Sequence, residues 1–427
     1  MQLVLYPSKE SWKQLAKRPA IDAAALQEKV KTVLQTVKEN GDAAVQRFTQ
    51  QFDGILLHNF TATPAEIEEA ESLLPDDLKK AIELAASNIK IFHNRQLTAP
   101  EIIETMPGVE CWRKSVGIDK VGLYIPGGTA PLFSTILMLG IPAQIAGCKE
   151  IVLCSPPDKQ GKLHPAILFA AQLAGITAIY KIGGVQAIAA MAYGTETVPQ
   201  VYKIFGPGNQ FVTAAKQLIQ QEGIAIDMPA GPSEVCVLAD ETANASFIAA
   251  DLLSQAEHGA DSQVLLVTTS RLLVDEVNKE IEKQLAGLPR KGIAELALKN
   301  SRLVIVYTKA EAIELVNTYA AEHLIIACAD ADTISEQITN AGSVFLGNYS
   351  PESVGDYASG TNHTLPTNGF ARAYSGVSVD SFVKKITYQK LTQQGLQQIG
   401  NTVVLMAEAE GLQAHAHAVT IRLQAGS

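Results

Sequence analysis

The sequence predicts an α/β fold built from two doubly wound parallel sheets, with small helical segments at both termini. Short runs of β-branched residues alternate with helical stretches, as in crossover connections on a parallel sheet. The alternation occurs in two successive series, and glycines cluster after the strands of the first series. Such turns are typical of nucleotide-binding sheets, so we expect both sheets to be Rossmann-like, with an incomplete nucleotide-binding pattern.

The chain before these two series is predicted to be helical, from Asp22 to about Gln96. Asp22 is expected to cap the first helix and Gly41 to stop it. Thr63 and Pro64 are expected to open another helix, because a hydroxyl followed by proline is a common helix start.

The first series contains five runs rich in Val and Ile. Strands are expected at Val121–Ile125, Ile151–Cys154, Ile176–Tyr180, Tyr202–Phe205 and Val235–Leu238. The helices between them are expected to begin near Leu132, Pro165, Gln186 and Asn209. The strands of the second series are expected at Val264–Val267, Leu303–Tyr307, Leu324–Cys328 and Val344–Leu346. A long loop is expected over residues 348–376, followed by helix from about Ser381 to Leu423.

Length and composition restrict the class of protein. The chain has 427 residues, which suggests two or more domains rather than a single core. Lys and Arg number 34 against 44 Asp and Glu, and the net charge is −10. This acidic balance argues against nucleic acid or an anionic membrane as the main partner and favours a small substrate. Five cysteines without a Cys-x-x-Cys pair, and an N-terminus without signal-peptide features, predict a cytoplasmic protein with reduced thiols.

Glycine-rich turns are expected to form a ligand crevice at the carboxyl ends of the first series of strands. Backbone N–H groups at the starts of the following helices suit phosphates, which points to a nucleotide. The usual dinucleotide fingerprint is missing, because Phe211 stands where its third glycine belongs. The alternative is that these glycines only form tight turns. The turns occupy residues 124–131, 181–186, 205–209 and 228–234.

The segment Ser254–Gly259 places an amide and an imidazole at the end of a predicted helix. Gln255 and His258 are three residues apart and would share one helix face, so an amide oxygen and a ring nitrogen could converge on one cation. The alternative is a polar helix end, in which His258 faces the negative pole of the helix dipole and Gly259 caps the helix.

Other residues with metal-binding side chains lie closer to the C-terminus. A set of two nitrogen and two oxygen donors, suited to zinc with room for a substrate, consists of Gln255, His258, Asp356 and His415. With one carboxylate the site would keep a net charge of about +1, which lowers the proton affinity of a bound amine or imidazole. Glu410 and His415 are five residues apart and would point in different directions on a helix, so we expect them to have different roles.

Glu322 and His323 stand between a predicted helix and a predicted strand. Adjacent residues within a strand point to opposite faces, so both would serve one site only at a turn before the strand. A carboxylate beside an imidazole offers two bases near neutral pH, which suits a reaction with two separate proton removals. The alternative is an ordinary exposed pair.

Taken together, these segments resemble the histidinol dehydrogenase family. The resemblance extends from about residue 22 to residue 423 without an evident gap. It implies that L-histidinol is oxidised twice, first to the aldehyde and then to L-histidine, while two NAD are reduced in sequence. The segments that carry the resemblance are residues 226–234, 254–259, 321–324, 355–367 and 407–415.

The resemblance also implies a role for each site residue. His323 would remove the hydroxyl proton, and Glu322 would activate the water that hydrates the aldehyde. One zinc ion per subunit would be held by Gln255, His258, Asp356 and His415. NAD would be contacted by Tyr124, Gln186 and Asn209. The substrate would be bound by Ser233, His363 and Glu410, together with His323 and the four zinc-holding residues.

Four parts of the chain are expected from these patterns and from the resemblance. Residues 1–20 would form an N-terminal segment, and residues 21–123 with 235–377 a large α/β domain carrying most of the zinc-binding and catalytic residues. Residues 124–234 would form a second α/β domain that binds NAD. Residues 378–427 would form a helical segment that places His415 in the partner's active site. The resemblance therefore implies a homodimer with shared active sites.

Two other functions are compatible with the same residues. A zinc hydrolase would use Glu322 with a metal-bound water and would need no nucleotide, so NADH formation from histidinol and NAD distinguishes it. A non-catalytic α/β binding protein would take a small ligand between its two sheets and would need no metal.

Overall fold

A computed structural model describes residues 1–18, 23–127, 131–229 and 231–425. Asp22, the predicted cap of the first helix, lies outside these residues. In chain order, the strands are β1 (Gln2–Leu5), β2 (Ile102–Met106), β3 (Val109–Gly117), β4 (Lys120–Tyr124), β5 (Glu150–Cys154), β6 (Ala178–Tyr180), β7 (Lys203–Phe205), β8 (Ala225–Ile226), β9 (Glu234–Ala239), β10 (Gln263–Thr268), β11 (Arg302–Ile305), β12 (His323–Ala327), β13 (Ser343–Leu346) and β14 (Val383–Leu391).

The helices surround the strands and connect them. In chain order they are α1 (Lys9–Leu15), α2 (Ala23–Asp53), α3 (Pro64–Leu73), α4 (Asp76–Asn94), α5 (Phe133–Ala146), α6 (Pro165–Leu173), α7 (Gly184–Tyr193), α8 (Gln210–Gln221), α9 (Ala245–Ala256), α10 (Arg271–Leu285), α11 (Lys291–Lys299), α12 (Lys309–Tyr319), α13 (Ala331–Ser335), α14 (Glu352–Tyr357), α15 (Gln393–Ala409) and α16 (Gln413–Ala425). In the part of the chain that the structure describes, no helix is both long and apolar enough to cross a membrane.

Two parallel sheets have the same strand order. One sheet has the order β6-β5-β4-β7-β8, and the other has the order β1-β11-β10-β9-β12-β13. If β4 and β9 are each taken as strand 1, both sheets have the order 3-2-1-4-5 of a doubly wound sheet. β1 adds an edge strand to the second sheet. Every residue of β9 and β10 is buried, as expected for strands covered on both faces. The predicted fold class is confirmed.

The N-terminal helices begin and end largely where the sequence predicts. Gly41 interrupts α2 with a φ of 51°, a conformation that favours glycine. Thr63 caps α3, and its hydroxyl and the Glu66 side chain form a reciprocal capping box with the backbone N–H groups. The apolar run after Pro131 forms the buried helix α5.

The chain separates into two compact units. The first comprises Met1–Gln96 and Ile118–Phe382 and contains both parallel sheets. The second comprises Leu97–Gly117 and Val383–Ser427, with an antiparallel sheet in the order β14-β3-β2 and the helices α15 and α16. The assignment of an NAD-binding and a zinc-binding domain stays a prediction.

The predicted helix from Ser381 is wrong over its first part, because β14 occupies that stretch. β14 pairs along its whole length with β3. Seven of its nine residues are exposed, and lysines are interspersed with the β-branched residues, so no alternating apolar face marks the strand in the sequence. Pairing with a strand about 270 residues earlier in the chain decides its conformation.

A buried ion pair supports the turn between β7 and α8. Lys216 on α8 pairs with Asp227, and its Nζ donates to the Gly206 carbonyl oxygen at 2.8 Å. Asp227 also accepts a hydrogen bond from the Gly206 N–H at 2.8 Å. Gly206 has a φ of 124°, and a side chain there would overlap the Tyr124 carbonyl oxygen. The turn that leads to Asn209 is therefore fixed from both sides.

Replacing Lys216 with Met is expected to lower the free energy of unfolding by about 3–5 kcal/mol, because Asp227 would stay buried without a cation. The matched control is Lys38→Met, which removes an exposed ion pair with Glu222 and should cost at most about 1 kcal/mol. Urea denaturation followed by circular dichroism measures both variants. Equal losses in the two variants would show that burial does not govern the contribution of the Lys216 pair.

Candidate active site

The predicted catalytic pair lies at the amino end of β12. Glu322 directly precedes the strand and His323 is its first residue, and they are only 6% and 3% exposed. They are therefore not the exposed pair of the alternative prediction. β12 lies next to β9, where the strand order of the sheet reverses. Ligands of open parallel sheets usually bind at the carboxyl ends of strands, whereas these residues lie at the amino ends.

A turn before β12 brings both side chains to one place. α12 ends at Tyr319, and Ala320 adopts a left-handed conformation with a φ of 54°. The Glu322 carboxylate accepts a hydrogen bond from the Glu234 N–H at 2.9 Å, and Glu322 Oε2 lies 3.7 Å from His323 Nδ1. His323 Nδ1 lies 3.3 Å from the Glu234 carbonyl oxygen, which can only accept, so we assign the proton to Nδ1.

The other ring nitrogen of His323 is directed toward Asp356. His323 Nε2 lies 3.4 Å from Asp356 Oδ1. Both atoms are buried and lack a hydrogen-bond partner within the described residues, and Glu352 Oε2 is in the same situation. Buried polar atoms are almost always paired in native proteins. Three such atoms in one place, of which His323 Nε2 and Asp356 Oδ1 form only a loose ion pair, indicate a site for a bound group.

Burial and mutual attraction shift the pKa values of these groups strongly. Burial raises the pKa of the Glu322 carboxyl to about 8, although the nearby imidazole opposes the rise, and it raises the pKa of Glu352 for the same reason. Burial would lower the pKa of His323, but the three surrounding carboxylates outweigh it and raise that pKa to about 10. Burial likewise opposes ionisation of Asp356, yet the close His323 imidazole dominates and lowers its pKa.

The Gln255 amide lies between Glu352 and the start of β9. In the orientation that satisfies both ends, its nitrogen donates to Glu352 Oε1 at 2.7 Å and its oxygen accepts from the Glu234 N–H at 3.0 Å. Sequence reasoning missed Glu352. It stands four residues before Asp356 on α14, so the two share one helix face, and that spacing was the available signal.

His258 does not lie on the helix that carries Gln255. α9 ends at Ala256 with Glu257 as its C-cap, and Gly259 does not have the positive φ of a glycine cap. The predicted helical face and the predicted glycine cap are therefore wrong. His258 follows the helix end, and its ring remains accessible to solvent. Partial burial lowers its pKa, and attraction to Asp356 opposes that shift.

His363 joins the loop after α14 to helix α5. Its Nδ1 lies 2.8 Å from the Asp356 carbonyl oxygen, and its Nε2 lies 3.0 Å from Thr135 Oγ1. The carbonyl oxygen can only accept, so Nδ1 carries the proton and Thr135 donates to Nε2 of the neutral ring. No sequence pattern pointed to Thr135. Ser233, another predicted substrate ligand, is partly buried and directly precedes β9.

The remaining two predicted residues belong to the second unit. Glu410 is the C-cap of α15, and His415 lies in the first turn of α16. Both are exposed in the single chain. Gly411, with a φ of 76°, separates the two helices, so the premise that Glu410 and His415 share one helix is wrong.

No three His, Cys, Asp or Glu side chains within the described residues are grouped so that they could hold a metal ion. Of the predicted zinc ligands, the first unit contains one histidine, His258, and one acidic residue, Asp356. Gln255 contributes an amide, and His415 belongs to the second unit.

The three residues predicted to contact NAD line one cavity of about 1270 Å³ in the first unit. Tyr124 ends β4, and its hydroxyl accepts from the Gly184 N–H at 3.1 Å. Gln186 lies in the first turn of α7, and Asn209 caps α8 through its Oδ1. The cavity therefore opens at the carboxyl ends of the strands, where the sequence predicts a ligand crevice.

Comparison with known proteins identifies the family. The family model for histidinol dehydrogenase matches residues 16–423. The chain is 60% identical over 423 residues to the histidinol dehydrogenase of Bacteroides thetaiotaomicron, with 99% of each chain covered. It is 53% identical to that of Colwellia psychrerythraea, with 96% of this chain and 95% of the relative covered. The chain belongs to the histidinol dehydrogenase family.

A solved structure extends the comparison to three dimensions. The crystal structure of histidinol dehydrogenase from Elizabethkingia anophelis is 56% identical and has a TM-score of 0.97, covering 100% of this chain and 98% of that one. The predicted family and enzyme class are confirmed: the chain is an oxidoreductase of histidine biosynthesis. The alternatives of a zinc hydrolase and a non-catalytic binding protein do not agree with membership of this family.

Removing the Thr135 hydroxyl is expected to weaken the preference of the His363 ring for the tautomer with its proton on Nδ1. In Thr135→Val, Nε2 of the ring loses its donor, so the turnover should fall by about two- to tenfold, the effect of one neutral hydrogen bond. Nitrogen NMR of the histidine rings would report the tautomer directly. Thr135→Ser keeps the hydroxyl and should retain both the tautomer and the activity. An unchanged ring spectrum in Thr135→Val would refute the assigned donor.

Proposed function

We propose that this chain is an L-histidinol dehydrogenase, which oxidises L-histidinol through L-histidinal to L-histidine with two NAD in the final steps of histidine biosynthesis. The observation that carries the proposal is the meeting of Glu322, His323 and Asp356 in one place, where His323 Nε2 and Asp356 Oδ1 form a loose ion pair but no hydrogen bond. Membership of the histidinol dehydrogenase family supplies the reaction class.

A divalent cation suits the charge of this site. Three carboxylates surround the buried His323 and raise the pKa of its imidazole to about 10, so the ring stays protonated at neutral pH. A base that works near neutral pH must be able to lose its proton. A cation beside these carboxylates would offset their charge and lower the imidazole pKa toward that range. Asp356 Oδ1 forms no hydrogen bond within the described residues and supports the same conclusion, because a carboxylate oxygen is an ordinary metal donor.

The donor set fits zinc. Gln255, His258 and Asp356 offer an amide oxygen, an imidazole and a carboxylate, and the accessible ring of His258 leaves one side of the site open. We assign the fourth donor to His415 of the partner subunit, which makes the enzyme a homodimer with shared active sites. When bound, zinc would hold the imidazole and the amine of L-histidinol and so orient the alcohol carbon.

His323 would act as the base of the first oxidation. Its Nδ1 is occupied by the Glu234 carbonyl oxygen, so Nε2 is the atom that accepts the hydroxyl proton. As this proton leaves, the alcohol carbon passes a hydride to NAD and the aldehyde forms. The burial of His323 keeps bulk water away from this proton transfer.

Glu322 would act between the two oxidations. Burial raises its pKa to about 8, which makes the carboxylate a stronger base than an exposed glutamate. It would take a proton from the water that adds to the aldehyde carbon, giving the hydrate. The hydrate then loses a second hydride to NAD and one proton from each hydroxyl, which leaves the carboxylate of L-histidine.

The remaining predicted residues would position the two reactants. Ser233, His363 and Glu410 would bind L-histidinol beside the zinc-holding residues. NAD would occupy the cavity lined by Tyr124, Gln186 and Asn209. Pockets for small molecules usually have a volume of roughly 300–1000 Å³. The volume of this cavity, about 1270 Å³, is larger and supports the binding of a dinucleotide.

Replacing Glu322 with Gln is expected to slow the oxidation of supplied L-histidinal by about 10²–10⁴-fold, because the base for water addition is lost. Formation of the aldehyde from L-histidinol should fall much less. NADH formation in single turnovers started from each substrate separates the two steps. Glu314→Gln, on the exposed face of α12, is the matched control and should change neither step. Equal losses in both steps would argue against a role in activating water.

Replacing His258 with Asn is expected to reduce the zinc content of the purified protein well below one ion per subunit, because one of its donors is lost. Zinc is measured by atomic emission after exhaustive dialysis. His417→Asn, at an exposed position on α16, removes a histidine outside the proposed set and should keep the full zinc content. The assignment would be wrong if both variants retained the same zinc content as the unchanged chain.

A further inference from the structure

The cavity at the carboxyl ends of β4 to β7 contains a carboxylate without a cationic partner. Asp53 is the last residue of α2, is partly buried and lines the cavity together with Tyr124 and Gln186. Burial raises the pKa of Asp53 to about 6, and within the described residues no cation opposes that rise. The carboxylate is therefore charged at neutral pH and has no positive side chain to neutralise it.

A second unpaired acceptor lies beside Asp53. The Nε2 of Gln186 donates to Asp53 Oδ2 at 3.3 Å, while its Oε1 has no partner in the described part of the chain. Gln186 is completely buried, and it forms part of the wall of this cavity. An amide oxygen and a carboxylate both accept hydrogen bonds, so the complementary ligand group must supply donors. Two adjacent ribose hydroxyls supply such donors, whereas a phosphate dianion does not.

The position of Asp53 also disfavours a phosphate group. The C-terminal end of a helix carries a partial negative charge, and Asp53 adds a full one at the end of α2. The lysines that line the same cavity, namely Lys29, Lys159 and Lys162, are exposed. Lys162 Nζ lies 3.8 Å from the Glu69 carboxylate, with which it forms an ion pair.

The acidic residue at the usual ribose-binding position already accepts hydrogen bonds from the backbone in this protein. In dinucleotide-binding sheets, an Asp or Glu after the second strand often binds the ribose hydroxyls. Here the acid that follows β5 is Asp158, and its Oδ1 accepts from the backbone N–H groups of Gln160 and Lys162, both at 2.9 Å. Asp53 comes from α2, outside the sheet, and its carboxylate remains available.

We propose that Asp53 selects a dinucleotide with a free ribose 2′-hydroxyl and rejects the 2′-phosphorylated form. Its carboxylate accepts hydrogen bonds from the ribose hydroxyls, and its charge repels a 2′-phosphate. This assignment rests on the NAD site proposed above and adds the residue that determines its cofactor specificity.

The test compares full-length protein with Asp53→Asn, which keeps the size of the side chain and removes its charge. NADH or NADPH formation from L-histidinol is followed by absorbance, and kcat/KM is determined for NAD and NADP separately. In Asp53→Asn, the KM for NAD should rise about tenfold, the effect of one hydrogen bond to a charged group. The ratio of kcat/KM for NADP to that for NAD should rise at least about tenfold, while the KM for L-histidinol stays within about twofold.

The matched control is Asp158→Asn, which removes a charge from the same cavity wall and should leave the NADP-to-NAD ratio unchanged. Thermal denaturation at pH 8 controls for folding. Burial disfavours the charged form of Asp53 at that pH, so Asp53→Asn should melt no lower than the unchanged protein.

An unchanged ratio in Asp53→Asn would overturn the inference, and so would an equal loss with both cofactors. The unchanged protein decides the underlying proposal separately: if it formed neither NADH nor NADPH from L-histidinol, the proposed function itself would be wrong.

Discussion

The convergence on one imidazole of three carboxylates, two of them buried and that of Asp356 partly buried, is the constraint on which the rest of the site depends. Glu322, Glu352 and Asp356 come from a turn and a short helix, and each is packed around His323. Burying like charges together is unfavourable unless something balances them. The raised pKa values of the two glutamates and of His323 reduce this repulsion in part, because they favour neutral carboxyl groups and a charged imidazole. A bound cation, as proposed for this site, would complete the balance.

The two parallel sheets have the same strand order, but their candidate ligand sites lie at opposite ends of the strands. In the sheet of β4 to β8, the cavity lies at the carboxyl ends of the strands, as in most nucleotide-binding sheets. In the other sheet, the proposed catalytic pair lies at the amino end of β12. Helix α9 ends on the same side, because it runs back from the carboxyl end of β9 to the amino end of β10. This return places Gln255 beside the start of β9.

Much of the fold was predictable because its strands are buried on both faces. β9 and β10 are continuous apolar runs, and such runs mark central strands without any knowledge of the tertiary structure. β14 could not be found in this way, since its exposed residues carry no apolar face and its partner is distant in the chain. The end of α9 was misjudged because a glycine after a helix is a common cap but not a necessary one.

The candidate site was predictable only in part. Metal-binding residue types and the likeness to a known family pointed to Gln255, His258 and Asp356. Thr135 and Asp53 carry no special pattern, and Glu352 has only its four-residue spacing from Asp356. Their importance follows from burial and from hydrogen bonds to residues distant in the sequence.

The most direct test of the central claim is zinc anomalous diffraction from crystals grown with zinc and L-histidinol. We expect one anomalous peak per chain, with the imidazole and amine of the ligand at the metal. The protein donors would be Gln255, His258, Asp356 and His415 of the partner subunit. A structure in which histidinol is bound but no zinc lies among the first three residues would contradict it.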